Sequence, residues 1–306
     1  MSVLVELEPE LYDKTAFDRF AVSPAFNLEN ARALMWLSQL AYETGRPDTI
    51  AQVQAKWNFA GITPVVRGTV RFRNIFSTRM IVGERNDVTL VAFCGTDPGV
   101  WQNFVTDLNT KPSTETGVHT GFERAFAGIK DDLAPLLTAR TKPIMFTGHS
   151  LGGALAVLAA QHAHQAGVTP LAVYTFGQPR VGGDAFATGY RPLLSATTYR
   201  LVHGHDIVPS LPMSRLGYRH SGYMLACGTN EKFQISELSA DHLGDLPAFI
   251  QSLVDSTTYR LRSWLSGRIL GAPGMGWRAQ LVRILTPAIR DHLPDRYLNA
   301  LTQCTP

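Results

Sequence analysis

The sequence is poor in cysteine, with Cys94, Cys227 and Cys304 among its 306 residues. An odd, widely scattered set does not build a disulfide framework, and none of the three has the short spacing to a second ligand that zinc sites use. The sequence therefore excludes a small disulfide-stabilised fold and gives no indication of a metal centre.

Long apolar runs are also missing. No stretch reaches the roughly 20 apolar residues of a membrane-spanning helix. The start of the chain is acidic, with Glu6, Glu8, Glu10 and Asp13, and lacks the basic and apolar regions of a signal peptide. We therefore expect no transmembrane segment and a cytoplasmic location, or secretion if a leader has been removed.

Charged residues are sparse, at 17% against 45% hydrophobic, and the net charge is only +3. This balance is typical of a soluble globular protein, and we expect residues 1–306 to form a single domain. The positive excess lies in residues 243–290, which hold six arginines, two aspartates and no lysine. Because the arginines alternate with leucine, isoleucine and tryptophan, the segment is predicted to be a basic amphipathic helical insertion. No nucleic-acid-binding motif accompanies the charge, which argues against nucleic acid as a partner.

What the sequence does contain is a short apolar run that meets a glycine-flanked serine. Residues 143–160 read PIMFTGHSLGGALAVLAA, with Ser150 between Gly148 and Gly152. A strand that turns sharply into a helix strains the turn residue and exposes its hydroxyl, while glycines two places away let strand and helix approach. The first amides of the helix then face the position where an oxyanion would form. The pattern predicts Ser150 as the nucleophile of a serine hydrolase.

Strand and helix patterns alternate on both sides of this motif. Apolar runs predict strands at 65–72, 80–83, 88–94, 143–146, 171–176, 198–203 and 218–226. Helical spacing predicts helices at 28–42, 121–139, 151–166 and 184–194. This alternation predicts an α/β fold with a mostly parallel central sheet and helices on both faces.

A serine nucleophile needs a base, and the base needs an acid that orients it. On hydrolase sheets of this kind the acid follows the serine in the chain and the histidine comes last. Asp206 comes directly after the predicted strand 198–203, at a strand end where sites on such sheets lie. Asp184 is the competitor, but its place after two glycines predicts a helix N-cap. We therefore expect Asp206 to be the acid.

The base must come from the histidines late in the chain. His203 and His205 adjoin the candidate acid too closely, and His220 lies in a predicted strand, where histidine is more often structural. His242 and His292 lie in nearly identical local sequences, DHLGD and DHLPD, and each precedes a helical pattern. The residues alone leave these two as alternatives.

Together these motifs resemble the class 3 lipases, the family of fungal triacylglycerol lipases and related acylhydrolases. Residues 147–156, TGHSLGGALA, are similar to the family's nucleophile segment, and residues 175–182, TFGQPRVG, to its next hallmark. Residues 205–212, HDIVPSLP, resemble the segment that carries the family's acid, which supports Asp206. The resemblance implies an α/β-hydrolase fold and ester hydrolysis.

The resemblance also implies an oxyanion hole. Residues 93–96, FCGT, are similar to the family's oxyanion loop. This similarity implies that Thr96 supplies an amide and a hydroxyl, and that Leu151 supplies a second amide. The family usually has arginine at the position of Cys94, which we interpret as a small buried apolar residue.

The following segment, 97–108, resembles the family's lid helix. An apolar stripe runs along it, formed by Val100, Trp101, Phe104, Val105 and Leu108. A lid would cover a hydrophobic site when closed and face lipid when open. We therefore expect Trp101, Phe104 and Val105 to contact substrate, although a buried helix would show the same stripe.

For the base, the resemblance favours His292. The family's histidine is commonly followed five places on by tyrosine, as His292 is by Tyr297, whereas His242 has Pro247 there. His242 in turn lies nearer to the spacing from the acid that compact members show. With His292 as the base, residues 243–290 become an insertion that caps the site, touches a lipid surface or packs on the core with solvated arginines.

The sequence thus predicts a serine carboxylic-ester hydrolase, above all a lipase that acts on acylglycerols and makes transient contact with a lipid interface. A short-chain esterase or a phospholipase A1 would share the same catalytic residues. An acyltransferase and a non-catalytic binding protein on the same fold are the further alternatives. No metal or organic cofactor is implied, because nucleophile, base and oxyanion donors all come from the protein.

Overall fold

The computed structural model describes residues 6–71, 74–85, 87–96, 110–139, 141–239 and 287–302. Within them the strands are β1 (Gly61–Arg71), β2 (Asn74–Glu84), β3 (Thr89–Phe93), β4 (Ile144–His149), β5 (Ala172–Phe176), β6 (Gly182–Gly183), β7 (Thr198–His203), β8 (Tyr218–Arg219), β9 (Tyr223–Cys227) and β10 (Leu238–Ser239). The described part of the main sheet has eight strands in the order β1-β2-β3-β4-β5-β7-β9-β10, and β6 pairs with β8 in a separate ribbon.

The centre of the main sheet is parallel. Strands β3, β4, β5, β7 and β9 pair in parallel, while β1 and β2 at one edge and β10 at the other join antiparallel. Every residue of β3, β4, β5 and β7 is buried. Burial on both faces explains why these strands read as continuous apolar runs rather than as alternating patterns.

Helices cover both faces of the sheet. They are α1 (Leu28–Leu40), α2 (Pro47–Lys56), α3 (Thr120–Ala127), α4 (Ala134–Ala139), α5 (Leu151–Gln165), α6 (Asp184–Leu194), α7 (Pro287–Arg290) and α8 (Pro294–Leu301). Met145 of β4 packs in a core with residues of α1 and α8, whereas its neighbours Ile144 and Phe146 pack in a second core with α5. Successive residues of a strand point to opposite faces, so the two cores lie on the two sides of the sheet.

Two predicted elements are interrupted in the structure. The predicted helix 121–139 is two helices, because α3 ends at Ala127 and a short 3₁₀ turn, Lys130–Leu133, precedes α4. The predicted strand 218–226 is β8 and β9, separated at Gly222, whose φ of +90° does not fit a strand. Helix α2 begins at Pro47, a favoured first helical residue, and was not predicted.

The interpretation of Asp184 as an N-cap is wrong. Gly183 holds the N-cap position of α6 and Asp184 is the first helical residue. Its carboxylate lies 3.0 Å from the Arg219 guanidinium, which joins the start of α6 to β8. Asp184 therefore has a structural ion pair away from the nucleophile turn.

Several predictions concern parts of the chain outside the described residues. They are the lid segment 97–108 with Trp101, Phe104 and Val105, the alternative base His242, residues 243–286 of the insertion, and Cys304. The single domain and the helical insertion therefore stay predictions. Among the helices that the structure describes, none has the length and hydropathy needed to cross a membrane.

Candidate active site

Ser150 lies at the turn between β4 and α5 in a strained backbone conformation, with φ 59° and ψ −127°. The turn is held on both sides, since the Ser150 N–H donates to the Phe176 carbonyl and the Ser150 carbonyl accepts from Gly153, both at 2.9 Å. Its hydroxyl is buried and makes no hydrogen bond within the described residues. A buried hydroxyl without a partner costs free energy, which marks a position where a bound group would be favoured.

The glycines around Ser150 are required by close backbone approach. A Cβ on Gly148 would collide with the backbone of Gly152, and a Cβ on Gly152 would collide with the carbonyl of Phe93. Strand β4, helix α5 and the end of β3 therefore meet more closely than any side chain would allow. This contact is the physical reason for the glycine pattern around the serine.

Asp206 and His292, 86 residues apart, are brought into contact. The Asp206 Oδ2 atom accepts a hydrogen bond from His292 Nδ1 at 2.8 Å, and its Oδ1 accepts from the Val208 N–H at 2.9 Å. Both side chains are buried. With the proton on Nδ1, the Nε2 atom of His292 is the one that could accept a proton from a hydroxyl.

Tyr297 is the second donor to the same carboxylate oxygen. Its hydroxyl donates to Asp206 Oδ2 at 2.6 Å and accepts from the His203 N–H at 3.2 Å. Burial, together with the Asp206 charge, raises the pKa of Tyr297 well above its usual value. Tyr297 is therefore a neutral donor that holds the Asp206 carboxylate in place.

His149, the residue before Ser150, contacts the loop of His292. Its Nε2 donates to the main-chain oxygen of His292 at 2.7 Å, its Nδ1 accepts from the Tyr42 hydroxyl at 2.9 Å, and the two imidazole rings lie 4.5 Å apart. Burial first, and His292 second, lower the pKa of His149 well below its usual value. His149 is therefore a neutral link between the nucleophile turn and the His292 loop.

Gly177 closes the space between β5 and the Asp206–His292 pair. Its φ is +59°, and a Cβ at this position would lie 2.7 Å from Asp206 Oδ2 and 2.8 Å from His292 Nδ1. Both the backbone conformation and the close approach therefore require glycine here. This residue is the first glycine of the TFGQPRVG segment.

The two predicted oxyanion residues lie at the same edge of the sheet as Ser150. Phe93 and Gly148 pair in parallel register, so Thr96 after β3 and Leu151 after β4 leave the sheet side by side. The Thr96 hydroxyl is buried and makes no hydrogen bond within the described residues, and Leu151 is the first residue of α5. Cys94 is 3% exposed and packs in the core, which confirms its interpretation as a small buried residue.

All three of the excluded histidines, His203, His205 and His220, have other contacts in the structure. His203 Nδ1 lies 3.2 Å from the carbonyl oxygen of Asp291, and His220 Nε2 lies 2.7 Å from that of Pro209. The side chain of His205 lies 3.1 Å from the Thr229 hydroxyl. The arrangement offers a strained buried serine, a histidine–carboxylate pair and helix amides at one sheet edge, a set suited to nucleophilic acyl transfer.

Residues 66–216 of the chain match the family described as Lipase (class 3). The chain belongs to the class 3 lipase family. This match confirms the family predicted from the motifs, and it includes Ser150, Asp206, Thr96 and Leu151.

The chain has curated relatives in fungi and in Caenorhabditis elegans. It is 39% identical over 150 residues to secreted mono- and diacylglycerol lipase 1 of Fusarium solani, covering 45% of this chain and 44% of the relative. It is 30% identical over 205 residues to a lipase of Rhizomucor miehei, covering 60% of this chain and 56% of the relative. The chain thus spans about half the length of the curated relatives it matches.

Solved structures confirm the fold. The native propeptide complex of Rhizomucor miehei lipase is similar with a TM-score of 0.55 and 23% identity, covering 74% of this chain and 78% of that one. Lipase II from Rhizopus niveus is similar with a TM-score of 0.53 and 22% identity, covering 69% of this chain and 86% of that one. The predicted α/β-hydrolase fold, a mostly parallel sheet with helices on both faces, is therefore confirmed.

Some residues of the site were not predicted from the sequence. Tyr42 gave no signal, because an aromatic residue at the end of an amphipathic helix is usually core. His149 was included in the nucleophile motif, but no role was predicted for its side chain. Asp291 precedes His292 in a pentapeptide nearly identical to the one around His242, so its sequence context could not distinguish it from Asp241.

Proposed function

We propose that this class 3 lipase is a serine carboxylic-ester hydrolase that acts on acylglycerols, with Ser150 as nucleophile, His292 as base and Asp206 as acid. The observation that carries the proposal is the 2.8 Å hydrogen bond from His292 Nδ1 to Asp206 Oδ2, beside a strained and buried Ser150. Acylglycerols are proposed as substrates because the Fusarium solani relative is named a mono- and diacylglycerol lipase.

In the proposed mechanism the Ser150 hydroxyl attacks the acyl carbonyl while His292 Nε2 takes its proton. Asp206 stabilises the imidazolium that forms. The amides of Thr96 and Leu151, with the Thr96 hydroxyl, hold the tetrahedral oxyanion. His292 then protonates the leaving alcohol, and water attacks the acyl-enzyme in the same way to release the fatty acid.

The strained serine supports an enzyme over a non-catalytic binding protein. Strained backbone persists where the surrounding structure enforces it, and it is concentrated at functional sites. A binding protein would have no need to keep Ser150 strained and unpaired beside a histidine–carboxylate pair. Short-chain esterase and phospholipase A1 activities would use the same residues, so they differ from the proposal only in substrate.

The lid and the cap belong to the same proposal. The apolar stripe with Trp101, Phe104 and Val105 would open against a lipid surface, and the basic segment 243–290 would assist that transient contact. The secreted relative from Fusarium solani favours secretion over a cytoplasmic location. A jump in hydrolysis rate when the substrate exceeds its solubility would support this view.

The first experiment compares Ser150→Ala, His292→Ala and His242→Ala in hydrolysis of a nitrophenyl ester. We expect the first two to lose on the order of 10⁴-fold or more in kcat, whereas His242→Ala stays near the wild-type rate. Circular dichroism checks that each variant is folded. Loss in His242→Ala alone would move the base to the other histidine, and turnover by Ser150→Ala would refute the nucleophile.

A second experiment separates the classes of activity. A fluorophosphonate probe labels the wild-type serine in an active hydrolase and leaves a binding protein unlabelled. Release of fatty acid from diacylglycerol, phospholipid and short-chain esters then ranks the substrates, and ester synthesis in aqueous buffer would indicate an acyltransferase. Preference for phospholipid over diacylglycerol would overturn the acylglycerol proposal.

A further inference from the structure

The proposed acid and base lie on separate segments of the chain that must be held together. Asp206 follows β7, whereas His292 lies between α7 and α8, neither of which is part of the sheet. The His292 loop is therefore not positioned by strand pairing. Its place depends on side-chain contacts with the loop that follows β7.

Asp291 makes the central one of these contacts. Its carboxylate is fully buried, and Oδ2 accepts from the His205 N–H at 3.0 Å and from the Thr229 hydroxyl at 2.7 Å. The residue before the proposed base thus accepts a hydrogen bond from the residue before the proposed acid. Thr229 follows β9, so a single carboxylate oxygen joins three segments of the site.

The neighbouring backbone is shaped around this carboxylate. Gly204 has a φ of +55°, and a Cβ on it would collide with the Asp291 carboxylate. The His203 imidazole lies 3.2 Å from the Asp291 carbonyl oxygen, and the Ile207 N–H donates to the Ala288 carbonyl at 3.4 Å. The loops 203–207 and 288–292 therefore run along each other, with Asp291 at their centre.

We propose that Asp291 is a positioning residue, whose carboxylate sets the distance between Asp206 and His292 by accepting from the His205 N–H. Hydrogen bonds to a charged acceptor are shorter and stronger than neutral ones, which suits a contact that fixes geometry. A misplacement of about 1 Å in a reacting group can cost about 100-fold in rate. The inference rests on the proposed function, because it takes His292 as the base.

The test is Asp291→Asn, which keeps the size of the side chain but removes the charge. We expect kcat for a nitrophenyl ester to fall about 10- to 100-fold, with KM within about twofold of wild type, because substrate contacts are unchanged while the base is displaced. Labelling by a fluorophosphonate should slow in proportion. A kcat within twofold of wild type would overturn the proposal.

Glu43→Gln is the matched control for burial. Glu43 is also a fully buried carboxylate, and it accepts from the Leu7 N–H at 2.7 Å and the Tyr12 hydroxyl at 3.1 Å. This variant should lose thermal stability as Asp291→Asn does, while kcat stays within about twofold of wild type. An equal loss of kcat in both variants would show that Asp291 acts only through general stability.

Thr229 provides a second route if Asp291→Asn does not fold. Thr229→Val removes the hydroxyl that orients the carboxylate, and Thr229→Ser restores it. We expect a several-fold loss of kcat in the first and a near wild-type kcat in the second, and no difference between them would overturn the proposal. Absence of both turnover and labelling in the wild-type protein would instead refute the proposed function.

Discussion

The imidazole of His149 donates a hydrogen bond from Nε2 to the main-chain oxygen of His292, 2.7 Å away. The residue before the proposed nucleophile therefore holds the backbone of the proposed base. A carbonyl oxygen can only accept, so the proton of neutral His149 lies on Nε2, and Nδ1 accepts from the Tyr42 hydroxyl. The nucleophile turn, the 3₁₀ turn after α1 and the His292 loop are joined by one uncharged side chain.

This link gives stability a measurable dependence on pH. Burial holds the pKa of His149 well below 6.5 in the folded protein. Below pH 6.5 the unfolded chain binds a proton at this histidine that the folded protein does not, so the free energy of unfolding falls as pH decreases. His149→Gln keeps a donor and an acceptor without titrating. We expect its free energy of unfolding to fall less between pH 7 and pH 5, by about 1–2 kcal/mol.

Urea denaturation of both proteins at pH 5, 6 and 7 measures this difference. All other titrating groups are common to wild type and variant, so the difference in pH dependence reports on His149. Parallel pH dependences in the two proteins would contradict a buried neutral histidine.

Tyr297→Phe tests the second support of the Asp206 carboxylate. The change removes the hydroxyl that donates to Asp206 at 2.6 Å and leaves the His203 N–H without its acceptor. We expect a loss of about 1–3 kcal/mol in the free energy of unfolding and a fall in kcat, because the carboxylate loses one of the donors that orient it.

Tyr12→Phe is its control. Tyr12 also donates to a buried carboxylate, that of Glu43, at 3.1 Å and away from the site. A comparable loss of stability with unchanged kcat is expected there. If both variants lost kcat alike, the effect of Tyr297 would be one of stability only.

The fold was largely predictable because parallel strands and the nucleophile helix carry strong local signals. Strands β3, β4, β5 and β7 are buried on both faces, so their apolar runs were visible without knowledge of their neighbours. The errors occurred where one residue decides the outcome. The backbone leaves the helical region at Ile129 and takes a φ of +90° at Gly222, although the apolar pattern continues past both residues. A pattern that averages over a segment does not register such a break.

The candidate site was predictable to the extent that chain order restricts it. Ser150 and Asp206 follow from a turn motif and from a strand end, both of which are local. The contacts that hold His292 are long-range, through His149, Tyr297 and Gly177, and no spacing in the sequence reports them. His242 and His292 have nearly identical flanking sequences, so local sequence does not identify a residue whose position depends on distant partners.

Gly177→Ala should disrupt the proposed acid–base pair directly. A Cβ there would lie within 2.8 Å of both Asp206 Oδ2 and His292 Nδ1, at a φ of +59° that disfavours alanine. We expect kcat/KM to fall about 100-fold or more, because the imidazole must move to make room.

Gly217→Ala is the control, since its φ is +95° but a Cβ would meet nothing within 4 Å. Strain alone should cost Gly217→Ala about 1–2 kcal/mol of stability and no activity, and similar kinetics in the two variants would contradict the steric argument.

Arg200→Met should stabilise the protein. Arg200 of β7 is 1% exposed, and its guanidinium nitrogens make no hydrogen bond within the described residues. Burial, with Arg180 nearby, lowers the pKa of Arg200 to about 9. The folded protein therefore binds this proton less well than the unfolded chain, and the resulting cost is complete below pH 9 and declines as pH rises above it. We expect Arg200→Met to gain about 1–4 kcal/mol in the free energy of unfolding at pH 7, measured by urea denaturation.

Arg180→Met should instead lose stability, because Arg180 donates to the carbonyls of Ser210 and Pro212 at 2.6 and 3.0 Å. Destabilisation by Arg200→Met would contradict this argument and would indicate that a bound anion or water accepts hydrogen bonds from the guanidinium in solution.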